Sequence, residues 1–272
     1  MAGSELVTIQ PGSGSAPALF CVRAEAGDVS LYYNLASHLA REQTVLGLCA
    51  PAAGELGGDR RLERMAERHV REIRGAQPNG PYLIAGECTG GALAYEIAQQ
   101  LRSAGDEIAL LALVDAFAPG LPRLSRFMPR PAYRALHRAR ILGFHVGNLV
   151  RLGMADKLAY AASKAERARM ALTVRVSGLL RRAEVTVSPR LAFREALAAY
   201  DPEPYAGRVV IFRAASLPLG IEAAPDMGWG ELVEDIEVET VPGYFTTPIS
   251  EPGVRILADR LSRRLCECTR AA

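Results

Sequence analysis

No uninterrupted apolar run in these 272 residues reaches the ~18 that a membrane span needs, so no crossing helix is expected. The stretch Met1 to Pro17 is small and polar and lacks the apolar core of a secretory signal. Cysteines are few and scattered, at Cys21, Cys49, Cys88, Cys266 and Cys268. An odd, dispersed set argues against a disulfide framework and for a reducing, cytoplasmic setting. Cys266-x-Cys268 has no histidine or further cysteine nearby, so it reads as a helix end and not as a metal site. The glycine-rich pieces Gly12-Ser-Gly-Ser and Gly54-Glu-Leu-Gly-Gly lack the lysine of a phosphate loop and read as turns. Histidine is scarce as well: His38, His69, His137 and His145 are the whole set, and none follows His145.

What is present is ordinary globular composition, 49% hydrophobic and 23% charged, in a chain long enough to bury a large core. The net charge of +2 hides an asymmetry. Leu121 to Val185 holds twelve arginines and two lysines against Asp156, Glu166 and Glu184. So basic a stretch suits an acidic partner or a solvated helical face. Nucleic acid is not expected, because the segment has neither zinc-ligand spacing nor an RNP-like aromatic run.

Along the chain, apolar strands alternate with amphipathic helices. Leu6–Gln10, Ala18–Arg23, Thr44–Cys49, Tyr82–Ala85 and Glu107–Val114 read as strands, as do Arg208–Arg213 and Ile236–Val241. Ser30–Arg41 (with Asp28 as a cap), Arg61–Arg74, Ala92–Arg102 and Val254–Cys266 read as helices. Strands without polar alternation, separated by helices, predict an α/β fold with a mostly parallel sheet covered on both faces. From about Ala118 to Tyr200 the periodicity stays helical with no convincing strand, which predicts a helical lid inserted into a single domain spanning 1–272.

The informative segment is Tyr82-Leu-Ile-Ala-Gly-Glu-Cys-Thr-Gly-Gly-Ala-Leu-Ala-Tyr. It runs strand, Gly86-x-Cys88-x-Gly90, helix, which is the context of a nucleophile elbow. Such a turn lifts its central residue to a helix N-terminus, where N–H groups and the helix dipole favour an anion. A buried cysteine in a glycine-rich turn is the plain alternative, and the strand-to-helix context favours the elbow. Asp115, twenty-seven residues on, ends the next apolar strand, where parallel sheets place their sites.

These residues, together with Leu19-Phe-Cys-Val, Leu113-Val-Asp, Tyr205-Ala-Gly-Arg-Val-Val-Ile-Phe-Arg, Gly228-Trp-Gly-Glu-Leu, Val241-Pro-Gly and Glu251-Pro-Gly-Val, resemble the thioesterases that release products from polyketide synthases and nonribosomal peptide synthetases. The resemblance covers nearly the whole chain and implies an α/β-hydrolase fold. With cysteine in the elbow, the chain looks most like the Dieckmann cyclases of tetramate and pyridone pathways. Those enzymes take a β-ketoacyl-aminoacyl chain from a carrier protein and close it through a carbon–carbon bond. Hydrolytic or macrocyclising thioesterase activity is the alternative. The implied partner is an acyl or peptidyl carrier protein, whose phosphopantetheine carries the substrate; no cofactor of the chain's own is implied. Carrier proteins are typically acidic, so the basic segment, with Arg134, Arg138 and Arg140, is a candidate docking surface.

The resemblance also implies an oxyanion hole built from the Thr89 N–H with Ala24 or Glu25, although the family's His-Pro loop reads Arg23-Ala-Glu-Ala-Gly27 here. The family's catalytic histidine falls on Phe245, in Val241-Pro-Gly-Tyr-Phe-Thr-Thr-Pro, where it is expected to face Cys88 and Asp115. His38 and His69 read as packing residues, and His137 and His145 lie in the expected lid. Glu87 and Tyr244 are further acid–base candidates, though a carboxylate at Glu87 would raise the thiol pKa. Three accounts of the missing imidazole stand open. A free thiol near 8.5 is already slightly ionised; the site is disabled, whether natural or engineered; or an acidic substrate carbon supplies the proton and relieves the enzyme of strong base catalysis.

Overall fold

The structure, a computed structural model, describes residues 6–24, 29–49, 61–151, 153, 157, 165 and 189–271. The first half alternates β1 (Leu6–Gln10), β2 (Leu19–Arg23), α1 (Leu31–Ala36), β3 (Val45–Cys49), α2 (Leu62–Ala76), β4 (Tyr82–Glu87), α3 (Gly90–Ser103) and β5 (Ile108–Val114). Then come β6 (Arg123–Leu124), α4 (Arg130–Arg151) and α5 (Pro189–Ala199). The chain ends with β7 (Tyr205–Ser216), β8 (Ile221–Glu222), a 3₁₀ turn at Trp229–Glu231, β9 (Val233–Tyr244) and α6 (Gly253–Ala271).

Seven strands form one sheet in the order β1-β3-β2-β4-β5-β7-β9, with only β1 antiparallel to its neighbour. The unbroken apolar runs follow from burial on both faces. Phe20, Val22, Ile84, Leu111 and Leu113 pack on one face with α2 and α3. Leu19, Cys21, Leu83, Ala85 and Ala112 pack on the other with α1 and α6. On α2, Leu62, Met65, His69, Val70 and Ile73 are buried, while Glu67 pairs with Arg64 and Arg71 on the wet face. His69 is a packing residue whose Nδ1 lies 3.1 Å from Glu72 Oε2.

Three expectations are corrected. The helix foreseen over Ser30–Arg41 ends at Ala36, because the chain tightens into i→i+3 bonds from His38 N–H to Leu35 O and Leu39 N–H to Ala36 O. The stretch after Ala118 does contain a strand: β6 pairs with β8 in a two-residue antiparallel ribbon, too short to leave a periodic signal. The last two sheet strands also run well past their predicted ends, twelve residues each. Asp28, the foreseen cap, and most of 152–188 in the foreseen lid lie outside the described residues. No helix of the described residues is long and apolar enough to cross a membrane.

Candidate active site at the β4–α3 elbow

β4 delivers Cys88 to the carboxyl edge of the sheet. The Cys88 N–H donates to Val114 O (2.9 Å), extending the β4–β5 ladder by one residue. The backbone then reverses, with Cys88 at φ +52° and the Gly91 N–H returning to Cys88 O (3.1 Å). A left-handed non-glycine residue costs of order 1–3 kcal/mol, and it is held here by crowding on all sides. A Cβ on Gly86 would sit 2.7 Å from Ala94 Cβ and from Gly90 O. One on Gly90 would sit 2.6 Å from Val22 O, and one on Gly91 only 2.3 Å from Ala116 Cβ. Glycine at these positions lets α3 start directly beneath Cys88.

Cys88 forms part of the wall of a cavity of about 320 Å³, together with Arg23, Ala24, Glu87, Thr89 and Thr246. Thr89 and Ala24, the described candidates for an oxyanion hole, line the same cavity, and Ala24 is buried. Glu25 lies outside the described residues. Burial pushes the Cys88 thiol up to about 12; the charges of Glu87 and Asp115 add to the rise, while the Thr89 N–H and Arg23 oppose it. A resting thiol that is already partly ionised is therefore not what this site holds.

Asp115 follows β5 at φ +46° and is 1% exposed. Its Oδ1 accepts the Ala214 N–H (2.6 Å) and its Oδ2 the Thr246 N–H (2.7 Å). Both oxygens are thus occupied by backbone, the outcome expected for an acid with no imidazole to orient. Burial raises this carboxyl to about 7, against the pull of those two N–H groups.

Phe245 directly follows β9, and its N–H donates to Ser216 O (2.9 Å). Its ring packs on Phe117 at 5.3 Å between centroids. The loop reaches the cavity as expected, but the residue that lines it there is Thr246, at φ +67°. The neighbouring Tyr244 is tied to α4: its hydroxyl lies 2.8 Å from His137 Nδ1, and His137 stacks on Tyr133 at 5.7 Å. Burial raises the Tyr133 hydroxyl, and the charge of Cys88 adds to the rise. His38 instead faces Glu251, at 2.7 Å, and the His145 side chain is outside the described set. Cys268 donates to Ala109 O, and among the described residues no cluster of His, Cys, Asp and Glu is placed to hold a metal.

Sequence reasoning missed one pair. Arg23 Nη1 donates to Glu87 Oε2 at 3.0 Å inside the cavity. β2 and β4 are parallel neighbours with Val22 opposite Gly86, so the next residues are Arg23 and Glu87. Opposite charges at the carboxyl ends of two apolar runs were the available signal.

A mostly parallel sheet with helices on both faces and a nucleophile elbow after a central strand define an α/β-hydrolase fold. The chain belongs to the thioesterase domain family, whose model matches residues 17–213. It is 34% identical over 116 residues to vanchrobactin synthetase VabF of Vibrio anguillarum, a match covering 42% of this chain and 4% of that protein. Among solved structures it is similar to the NocB thioesterase domain in covalent complex with a fluorophosphonate nocardicin G analogue. That likeness has a TM-score of 0.63 and 24% identity, over 96% of this chain and 99% of that one. It is also similar to the RedJ thioesterase of the prodiginine pathway in Streptomyces coelicolor, with a TM-score of 0.59 and 22% identity over 94% and 93%.

Proposed function

We propose that this protein takes an acyl chain from the phosphopantetheine thiol of a carrier protein onto Cys88 and releases it by Dieckmann closure, giving a tetramate or pyridone. The observation that carries the reading is the strained Cys88 elbow combined with an acid, Asp115, whose two oxygens are committed to backbone N–H groups. Exchange of one thioester for another is roughly isoenergetic, and the departing pantetheine sulfur takes up the proton that Cys88 gives away. Hydrolysis would demand an activated water, and no histidine is found among the described residues lining the cavity. A carbon between two carbonyls is acidic enough to do without that base. The Thr89 and Ala24 N–H groups serve as oxyanion donors in both acyl-transfer steps.

The relatives' names support a megasynthase context, since VabF is a synthetase and NocB and RedJ are called thioesterases. The segment from 118 to 200 acts as a lid, with α4 and α5 as its described helices. The exposed Arg134, Arg138 and Arg140 of α4 receive an acidic carrier protein. The protein needs no cofactor beyond the arm that brings the substrate.

Intact-protein mass after mixing with a β-ketoamide thioester of N-acetylcysteamine tests the reading. An acyl adduct is expected on the native chain and none on Cys88→Ala. Absence of both an adduct and a cyclised product with the native chain sinks the proposal and leaves a carrier-binding module without catalysis.

A further inference from the structure

Among the described residues, Arg23 and Glu87 form a charged pair that shares the cavity with Cys88. Its position is fixed by the sheet. The Glu87 N–H donates to Tyr32 Oη (3.1 Å), and that hydroxyl donates to Val22 O (2.8 Å), pinning the tips of β2 and β4 to one tyrosine. The Glu87 side chain is 9% exposed and that of Arg23 is 22%. A carboxylate this poorly hydrated is a competent base, and a guanidinium beside it is the natural partner of a second oxyanion. Glu87 does not serve loading of Cys88: its carboxylate raises the thiol pKa and so opposes it.

Resting on the reading of Cys88 as the acylated residue, we propose that Glu87 is the base for the carbon acid and that Arg23 holds the resulting enolate. With the chain on Cys88, the C–H flanked by two carbonyls gives its proton to the Glu87 carboxylate. The C–H electron pair becomes an enolate whose oxygen Arg23 neutralises. That carbon forms the new bond to the thioester carbonyl, the C–S bond breaks, and the Cys88 sulfur leaves as thiolate and recovers the proton from Glu87. Water, oxidant and metal are not consumed. The substrate class follows: chains with a 1,3-dicarbonyl carbon within reach of their own thioester close, whereas simple saturated acyl chains load and stay.

Single-turnover mass spectrometry on Glu87→Gln tests this. With the β-ketoamide thioester, loading is expected at the native rate or faster, because a charge opposing the thiolate is gone. Closure is expected to slow by ~10²-fold or more, so the Cys88 adduct accumulates. A saturated acyl thioester is expected to load the variant at the native rate or faster as well, and to stay on Cys88 in both proteins. An adduct that clears from folded Glu87→Gln at the native rate overturns the assignment, as does equal loss of loading and closure. Should Glu87→Gln fail to fold, Arg23→Gln decides: a lengthened adduct lifetime supports the pair and an unchanged one overturns it. If the native chain gives neither adduct nor cyclised product, the proposed function falls and this inference with it; loading with native closure in the variants overturns the inference alone.

Discussion

The Thr246 N–H donates to Asp115 Oδ2 across 2.7 Å, joining the loop after β9 to the end of β5. Together with the Ala214 N–H on Oδ1, it turns a family acid into an anchor for the loop that shapes the cavity. Asp115→Asn would set an amide NH₂ against one of these two donors, and a loss of about 1–3 kcal/mol is expected in urea denaturation. The pH dependence has a definite sign. The folded carboxyl titrates at about 7 and the unfolded one near ~4, so in between the unfolded chain ionises first. The stability advantage over Asp115→Asn is therefore expected to shrink as pH rises from ~4 to ~7 and to level off above. Growth of that advantage across the window would contradict the assignment.

Phe245→His puts an imidazole on the loop that the Thr246 N–H ties to Asp115. With the thiol at about 12, the native protein is expected to acylate faster with every unit of pH up to 9, without a plateau. The variant is expected to gain ~10²-fold near neutrality and an inflection around ~6–7. Stopped-flow acylation over pH 5–9 reads both. Superimposable profiles would show that the loop's imidazole position is not functional.

Gly86→Ala puts a methyl 2.7 Å from Ala94 Cβ and from Gly90 O, where strand and helix leave no slack. A destabilisation of about 1–3 kcal/mol is expected in chemical denaturation, together with a fall in Cys88 acylation as the elbow shifts. Native stability in that variant would mean that the turn is looser than its φ of +52° at Cys88 implies.

Reversing charge on α4, with Arg134→Glu, Arg138→Glu and Arg140→Glu together, addresses the partner. The KM for a carrier-bound substrate is expected to rise by about tenfold and to lose most of its salt dependence, while the KM for a small thioester stays put. An equal rise for both substrates would point to the cavity and away from docking.

Much of this was legible before the structure because the signals are local. The β4–α3 turn announces itself through Gly86, Gly90 and Gly91, each of which the packing requires, and Asp115 through an apolar run ending in one carboxylate. The β6–β8 ribbon escaped because two residues carry no period, and α1 escaped in part because its last turn is a tightening of the backbone. The Arg23–Glu87 and His137–Tyr244 contacts join residues 64 and 107 positions apart. Pairing at such distances depends on strand order and on where α4 lies, which propensity and periodicity do not encode.

The central claim is that release forms a carbon–carbon bond and spends no water. It is tested most directly by running the reaction with a β-ketoaminoacyl thioester in H₂¹⁸O and analysing the released product by mass. The account predicts a cyclic product without ¹⁸O from solvent incorporated at the former thioester carbon during release, formed by the native chain and not by Cys88→Ala. A linear acid carrying one ¹⁸O in its carboxyl group would contradict it and make the protein a hydrolytic thioesterase.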